Sequence, residues 1–335
     1  MVEMLSYITR RVALMLVTLA AVSITTFFII GLPPGDYVST LQAQAESRGE
    51  EIDQQRLAQL RERYGLDQPF IAQYGKWMSN ILVRGDFGES FAWNKPVSSL
   101  IWDKVGLSFF LSVSTLLFVW AVAFPIGVFS AVRQYSAGDY VATFFGFVGM
   151  AVPEFMLALV FMYIGMRYFG QDVGGLFSRE YMDAVWNFGK VLDLLSHLWL
   201  PILIIGMSGT AGTIRITRAN LLDELHKPYV VTARAKGLPE WKLLLKYPVR
   251  MSLSPFFSTV GWLLPGLISG ETIISIVLSL PTTGPLLFGA VLSQDMYLVG
   301  SFILILSTLT VIGTLLSDLA LAWWDPRIRH RYEGG

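Results

Sequence analysis

The sequence contains no cysteine, which excludes disulfides, thiolate catalysis and cysteine-ligated zinc. Histidine is scarce, with three in 335 residues and no HExxH pair, so a catalytic metal is not expected. The GxxxxGK[ST] pattern is missing too, so the chain has no P-loop of its own for ATP. Charged residues make up 15%, against about 25% in soluble domains. The 25 basic and 25 acidic residues balance, which gives no reason to expect nucleic acid as a partner.

Long apolar runs dominate the chain, and 53% of its residues are hydrophobic. A helix needs about 20 apolar residues to cross a bilayer core. Six runs meet this length, at 12–31, 107–132, 140–168, 198–216, 255–278 and 299–324. They predict an all-α membrane protein with six transmembrane helices. The first run follows Arg10 and Arg11, as in a signal peptide, but it exceeds the usual h-region and no small-x-small site follows, so we interpret it as uncleaved.

Lysine and arginine are distributed unevenly between the two sets of loops. Once the long loop 32–106 is set aside, one set holds only Arg167, Arg179 and Lys190, whereas the other holds 14 basic residues. Because basic residues accumulate on the cytoplasmic side, both termini are expected to be cytoplasmic. The expected parts are the N-terminus with the first helix (1–31), an extracytoplasmic loop (32–106), a five-helix core (107–324) containing a cytoplasmic segment (217–254), and a cytoplasmic tail (325–335).

The large loop 32–106 is predicted to contain amphipathic helices. One begins at Asp67 as N-cap, with Pro69 in its first turn. Its apolar residues recur at helical spacing on one face, namely Phe70, Tyr74, Trp77, Met78, Ile81 and Leu82. This face either lies on the bilayer or a partner, or packs against the helix ends of its own chain.

The cytoplasmic segment 217–254 is basic and is divided by prolines. Residues 229–237 permit a helix, and Pro239 starts a second one from Glu240 to Lys246. On this second helix the apolar residues Trp241, Leu244 and Leu245 share a face. A short helix–turn–helix at the membrane surface is suited to receive force from a soluble partner, although a basic loop anchored to lipid headgroups is an equally simple interpretation.

Several motifs together resemble one family. Residues 229–238 (YVVTARAKGL) resemble the EAA loop of ABC-importer permeases of the dipeptide/oligopeptide type, the binding-protein-dependent inner membrane components. The resemblance extends from about residue 7 to residue 330. It is carried further by six motifs in matching order, at Arg63–Pro69, Arg84–Ser90, Val152–Phe155, Arg215–Leu222, Leu280–Gly284 and Asp325–Arg329.

In that family the EAA segment, here residues 229–246, forms a coupling helix that sits in a groove of the cytoplasmic ATPase. Of the generic pattern Glu-Ala-Ala, three residues, Gly, this chain keeps Ala233 and Gly237, and the closing Leu-Pro is absent. The resemblance implies an ATPase contact formed by Tyr229, Ala233, Arg234, Ala235, Lys236, Gly237, Leu238, Pro239 and Trp241. Gly237 suits a turn with positive φ, and Arg234 and Lys236 suit acidic side chains on the ATPase.

The resemblance also implies the fold and the partners. The fold is that of a type I ABC importer permease, non-catalytic and multi-pass, in a bacterial inner (plasma) membrane. The implied partners are a second homologous permease subunit, two ABC ATPase subunits and an extracytoplasmic substrate-binding protein, beside the lipid bilayer. This chain is expected to bind no cofactor, since ATP and Mg²⁺ belong to the ATPases. Peptides are the expected substrate, with oligosaccharides, opines or nickel as alternatives.

Acidic residues within apolar runs are candidates for the translocation pathway, because charge inside a membrane is costly. Glu271 is the first candidate. Related permeases often carry a glutamate where this chain has Ser275, one helical turn later on the same face. Glu154 follows Pro153, so it either lines the pathway or stabilises a kink. Asp318 is interpreted as interfacial, and the small residues of 206–212 as a helix-packing stretch.

Two other classes of membrane protein remain as alternatives. A secondary transporter would need coupling residues at the midplane and usually a repeat between its halves, and no repeat is found. Its coupling residues would have to be Glu271 and Glu154. An intramembrane enzyme would need a catalytic pair, for which the same two glutamates would have to serve.

Overall fold

The fold is mostly helical. The computed structural model describes residues 2–32, 38, 42, 54–64, 67–90, 92–169, 174–182, 184–253, 256 and 272–324. The helices are α1 (Val2–Ile30), α2 (Gln54–Tyr64), α3 (Phe70–Ser79), α4 (Val97–Val132), α5 (Ala137–Ala151), α6 (Glu154–Ile164), α7 (Phe188–Leu225), α8 (Pro228–Ala235), α9 (Glu240–Lys246), α10 (Pro248–Ser252), α11 (Thr272–Val277), α12 (Thr283–Leu292) and α13 (Met296–Trp324). Single π-helical turns extend α3 and α6, at Asn80–Arg84 and Gly165–Phe169. Strands β1 (Glu89–Ser90) and β2 (Lys95–Pro96) pair antiparallel.

Four helices of the described chain are long and apolar enough to cross a membrane, within α1, α4, α7 and α13. A fifth candidate is the bent pair α5 and α6. The structure describes only part of the predicted run 255–278. This part consists of residue 256 and residues 272–278, which include α11. The described part of the chain therefore has four or five candidate spans, and the predicted count of six stays a prediction.

The predicted run 140–168 is not one straight helix. Helix α5 ends at Ala151, α6 begins at Glu154, and the two axes differ by 97°. The cause is Pro153, which has no N–H to continue the helix and holds Val152 in an extended conformation. The kink expected at Pro153 is therefore present, and it is sharp enough that α5 and α6 form either a broken span or a re-entrant loop.

The chain divides into two compact units, residues 1–106 with 286–312, and residues 107–285 with 313–335. In the first unit the aromatic face of α3 packs on α1. The ring of Phe27 lies 5.1 Å from Phe70, 5.6 Å from Tyr74 and 5.3 Å from Trp77, and the Ser23 hydroxyl lies 2.7 Å from that of Tyr74. Of the two interpretations of this face, packing within the chain is therefore the one that the structure confirms.

The start of α3 differs from the prediction. The helix begins at Phe70, with Pro69 rather than Asp67 as the N-cap. Pro69 has an extended ψ of 149°, and its carbonyl accepts hydrogen bonds from the amides of Ala72 and Gln73 at 2.8 and 3.1 Å. Proline has no side-chain acceptor, so no side chain caps the first amides of α3.

The second unit is organised around α7. Glycines allow close approach: a Cβ at Gly206 would lie 2.8 Å from the ring of Phe118, and one at Gly127 would lie 2.6 Å from the Cβ of Thr217. Small residues in membrane helices bring backbones together in this way. The predicted packing role of the small-residue stretch on α7 is therefore confirmed at Gly206, which faces α4.

Candidate functional site

The EAA segment consists of two short helices joined by a tight turn. Helix α8 starts with Pro228 in its first turn and α9 starts after Pro239, as the prolines predicted. The predicted cytoplasmic segment 217–254 begins inside α7, because that helix continues to Leu225 without a break. Helix α10 follows at once and packs back on α7.

A small apolar core holds the two helices together. Val230 and Leu243 are fully buried and Ala233 is nearly so, with Leu238 and Tyr247 packed around them. The methyl group of Ala233 therefore points into the segment itself, although the resemblance implies a contact with the ATPase. Its small size is needed here for the close approach of α8 to α9.

The turn between α8 and α9 depends on Gly237. Its φ is +77°, a region that residues with a Cβ rarely adopt, and its amide donates to the carbonyl of Arg234 at 3.0 Å. A Cβ at Gly237 would meet no described atom within 4 Å. Within this chain, the glycine is therefore required for backbone conformation and not for space.

An ion pair closes the same turn. Arg234 donates from Nε and Nη2 to the two carboxylate oxygens of Glu240, at 3.2 and 2.5 Å. The hydrogen bonds from Arg234 lower the pKa of Glu240 below its ordinary value, and those to Glu240 raise the pKa of Arg234. Sequence analysis assigned Arg234 to acidic groups of a partner, whereas the structure pairs it with a carboxylate of its own chain.

The segment exposes three large apolar side chains. Val231, Trp241 and Leu245 are 56%, 62% and 60% exposed. Ala235, Lys236, Gly237 and Pro239 are exposed too, and Leu238 is half-buried. The predicted face of α9 is divided: Trp241 and Leu245 are exposed, whereas Leu244 packs inward with Leu221 and Val249.

The first turn of α8 is linked to the end of α7. The Tyr229 hydroxyl donates to Glu224 Oε2, and Lys227 Nζ lies 2.5 Å from the other oxygen of that carboxylate. Tyr229, one of the residues expected to contact the ATPase, is exposed, but its hydroxyl is hydrogen-bonded to Glu224 of its own chain.

Apolar packing anchors the segment to two long helices. Leu221 of α7 is fully buried and clusters with Ala131 of α4 and Val249 of α10. Further members of this cluster come from the same helices and from α9, namely Phe124, Val128, Leu222, Leu225 and Leu244. The EAA segment is therefore packed directly on the C-terminal ends of α4 and α7.

Two of the pathway candidates, Glu154 and Ser275, lie on helices α6 and α11, which pack against each other. Ser275 of α11 is 1% exposed, and within the described residues its Oγ has no hydrogen-bond partner. Glu154 lies half-buried in the first turn of α6, with Ser208 of α7 close to its carboxyl group. A carboxylate at a helix N-terminus is favourably placed by the helix dipole. Glu271 lies outside the described residues.

No group of three histidine, aspartate or glutamate side chains in the described ranges could hold a metal ion. The site's chemistry thus consists of apolar surface, a glycine turn and internal ion pairs. These features suit a mechanical contact.

Comparison with known proteins decides the family. Residues 123–330 match the family described as binding-protein-dependent transport system inner membrane component, and residues 4–112 match its N-terminal region. This chain belongs to that family. The oligopeptide transport system permease protein AppB of Bacillus subtilis (strain 168) is 32% identical, and the alignment covers 98% of this chain and 100% of AppB.

Other relatives agree over the same length. The dipeptide transport system permease protein DppB of Alkalihalophilus pseudofirmus is 31% identical over 98% of this chain and all of its own. The peptidoglycan transport system permease protein YejB of Agrobacterium fabrum is 30% identical over 96% of this chain and 98% of its own. The resemblance inferred from the motifs is confirmed, and the chain is a non-catalytic permease component of an inner membrane transport system.

Two features of the permease escaped the sequence analysis. The exposure of Val231 and Leu245 beside Trp241 follows from how α8 and α9 pack, which no single-helix pattern describes. The pairing of Arg234 with Glu240 was detectable in principle, because opposite charges flank a predicted turn six residues apart.

Proposed function

We propose that this permease forms half of the translocation pathway of an ATP-driven peptide importer. The other half is a second homologous permease subunit, two separate ABC ATPases supply the energy, and an extracytoplasmic binding protein delivers the substrate. The observation that carries the proposal is the EAA segment: a compact helix pair with an exposed apolar surface, anchored to α4 and α7. The chain has no P-loop, so the ATPase is another polypeptide.

The proposed ATPase contact is the exposed surface of the EAA segment. It comprises Val231, Trp241 and Leu245 together with the exposed residues near the turn, Ala235, Lys236, Gly237 and Pro239. A cluster of large exposed apolar side chains outside the membrane marks an interaction site. Ala233, Leu238 and Arg234 then act from behind, by holding α8 and α9 in the shape that the ATPase receives.

Site-directed cross-linking tests this contact cleanly, because the chain has no cysteine of its own. Val231→Cys and Trp241→Cys, each labelled with benzophenone-4-maleimide and illuminated in native membranes, should give a cross-linked product that contains an ABC ATPase. Gln134→Cys serves as a control, since Gln134 is exposed in the loop between α4 and α5. A product from Gln134→Cys alone, or none from the two segment positions, would contradict the proposed docking surface.

The proposed topology has six spans with both termini in the cytoplasm. Support comes from the distribution of basic residues and from the four or five candidate spans of the described chain. The total is six when the bent pair α5 and α6 counts as one span and the run 255–278 as another. Within this topology Ser275 and Glu271 belong to the span at 255–278, and they are proposed to lie near the pathway. Glu154 is proposed to stabilise the bend between α5 and α6.

Peptides are the proposed substrate. The support is the printed function of full-length relatives, two of which are named for oligopeptide and dipeptide transport. Another is named for peptidoglycan transport. The test is uptake of radiolabelled trialanine by cells with and without this gene, with maltotriose and Ni²⁺ as competitors. Gene-dependent uptake that only unlabelled peptides inhibit is expected. Inhibition by maltotriose or Ni²⁺ would replace peptide by that class.

A further inference from the structure

A bidentate ion pair joins two helices beside the EAA segment. Arg218 of α7 donates from Nε to Asp139 Oδ1 at 3.1 Å and from Nη2 to Oδ2 at 3.0 Å. The side chain of Asp139, in the first turn of α5, is 4% exposed, and that of Arg218 is 28% exposed. A fork-shaped pair of this kind constrains both distance and orientation.

The same carboxylate organises the loop before α5. The amide of Tyr135 donates to Asp139 Oδ2 at 2.9 Å, and Tyr135 has the unusual φ of +61°. The amide of Asp139 donates in turn to the Ser136 hydroxyl, the N-cap of α5. Asp139 therefore joins the loop, the start of α5 and α7 through a single side chain. The loss of this carboxylate would leave the half-buried guanidinium of Arg218 without its partner and the turn at Tyr135 without support.

The ion pair lies one helical turn from the anchor of the EAA segment. Leu221, three residues after Arg218, is the buried centre of the cluster that also receives Ala131 of α4 and Val249 of α10. No described residue of α5 belongs to this cluster. At this level α4 and α7 are tied to the EAA segment by apolar packing. Helix α5 packs along α7 further on, where Gly149 lies against Met207 and Ala211, and at its first turn it is joined to α7 by Asp139 and Arg218.

We propose that the Asp139–Arg218 ion pair is a positioning contact that makes α5 move together with the EAA segment when the ATPases close. The ion pair holds the cytoplasmic start of α5, so a movement of α7 reaches α5 through it. The break at Pro153 separates α5 from α6, and the motion therefore arrives at the bend between these two helices. This inference rests on the proposed function. Neither residue contacts a substrate or an ATPase in this assignment.

Distance measurement by electron paramagnetic resonance tests the proposal. Spin labels are attached at Thr143→Cys on α5 and Lys246→Cys on α9, both exposed, in the complete transporter with its ATPases. Trapping with ATP and vanadate should leave this distance unchanged in the otherwise unmodified protein. In Asp139→Asn or Arg218→Gln, trapping should change the distance by about 2 Å or more, the scale of helix shifts in such transitions.

Two further variants separate positioning from folding. Arg218→Lys keeps a cation opposite the Asp139 carboxylate and should leave the distance unchanged on trapping. Arg215→Gln, on the same helix, removes an exposed arginine whose guanidinium contacts Met150 Sδ rather than a carboxylate, and should behave as unmodified. ATP hydrolysis per purified complex should stay within about twofold in every variant, because the coupling and not the ATPase is altered.

Several outcomes would overturn the proposal. The first is a distance that changes on trapping in the unmodified protein. The second is a distance that stays the same on trapping in both Asp139→Asn and Arg218→Gln. The third is a lower yield of complex in these variants, with the distance unchanged in the complex that remains. The last result would assign the ion pair to folding alone. Absence of ABC ATPases from the purified unmodified transporter would contradict the proposed function itself, and this inference with it.

Discussion

At Gly237 the backbone conformation and the surrounding space make separate demands. The positive φ disfavours any side chain with a Cβ, yet the space around the missing Cβ is open within this chain. A glycine here would be explained either by the positive φ that the turn requires or by close contact with an ATPase. Substitutions that differ in shape and in tolerance of positive φ distinguish the two.

Gly237→Asn should keep most of the uptake activity, because asparagine tolerates the left-handed region. Gly237→Val should lose most of it, since a β-branched side chain is strained there by about 1–2 kcal/mol. The measurement is uptake of radiolabelled trialanine together with recovery of ATPase in a pull-down. If both variants fail equally and lose the ATPase, the glycine provides space for the partner and not a turn.

The Arg234–Glu240 pair should behave independently of pH near neutrality. The pKa of Glu240 is lowered, so its contribution is complete above the unfolded value of about 4.3 and is lost only as the pH falls through the folded pKa. The pKa of Arg234 is raised, so its contribution is lost only at strongly alkaline pH. Between pH 6 and 8 neither group changes its charge.

Glu240→Gln should therefore expose the turn to trypsin equally at pH 6 and pH 8. The increase in cleavage after Arg234, relative to unmodified protein in inside-out vesicles, should be no more than about fivefold, because exposed ion pairs contribute little. A larger increase at pH 8 than at pH 6 would show that another titrating group controls the turn.

At the scale of helices, close approach depends on which glycines face a neighbour. A Cβ at Gly127 would lie 2.6 Å from the Cβ of Thr217 and 3.0 Å from the carbonyl oxygen of Ile214, so α4 and α7 would have to separate. A Cβ at Gly212 of α7 would meet no described atom within 4 Å. The two glycines lie in the same unit but make opposite demands on packing.

Gly127→Ala should destabilise the permease by about 1–3 kcal/mol, the usual cost of overpacking. Gly212→Ala should be neutral or stabilise it by about 0.5–1 kcal/mol, because alanine loses less backbone entropy in a helix than glycine does. Thermal unfolding of the purified permease in detergent, followed by size-exclusion fluorescence, compares the two variants. Equal losses of Tm would mean that a contact outside this chain, at Gly212, matters as much as the approach of α4 to α7.

For the whole molecule, local signals predicted local structure well. Prolines marked the starts of α8 and α9 and the break after α5, because the missing N–H of proline acts within a few residues. The motifs also identified the family. Contacts between distant residues were not predictable: Asp139 and Arg218 are 79 positions apart, and their pairing depends on how α5 packs on α7. Likewise, helical spacing grouped Leu244 with Trp241, and only the packing of α9 separates them.

The count of spans is the last expectation to be tested, and labelling of single cysteines decides it. Trp93, Trp186 and Gln294 are exposed in the described structure and lie outside under six spans, whereas Gln134 and His226 are exposed and lie inside. A membrane-impermeant maleimide applied to spheroplasts should label cysteines at the first three positions, and those at the last two only after permeabilisation. In the six-span topology, the single span at 255–278 places His226 and Gln294 on opposite sides of the membrane. Labelling of both positions from the cytoplasmic side would mean that 255–278 does not cross, and the C-terminus would then lie outside.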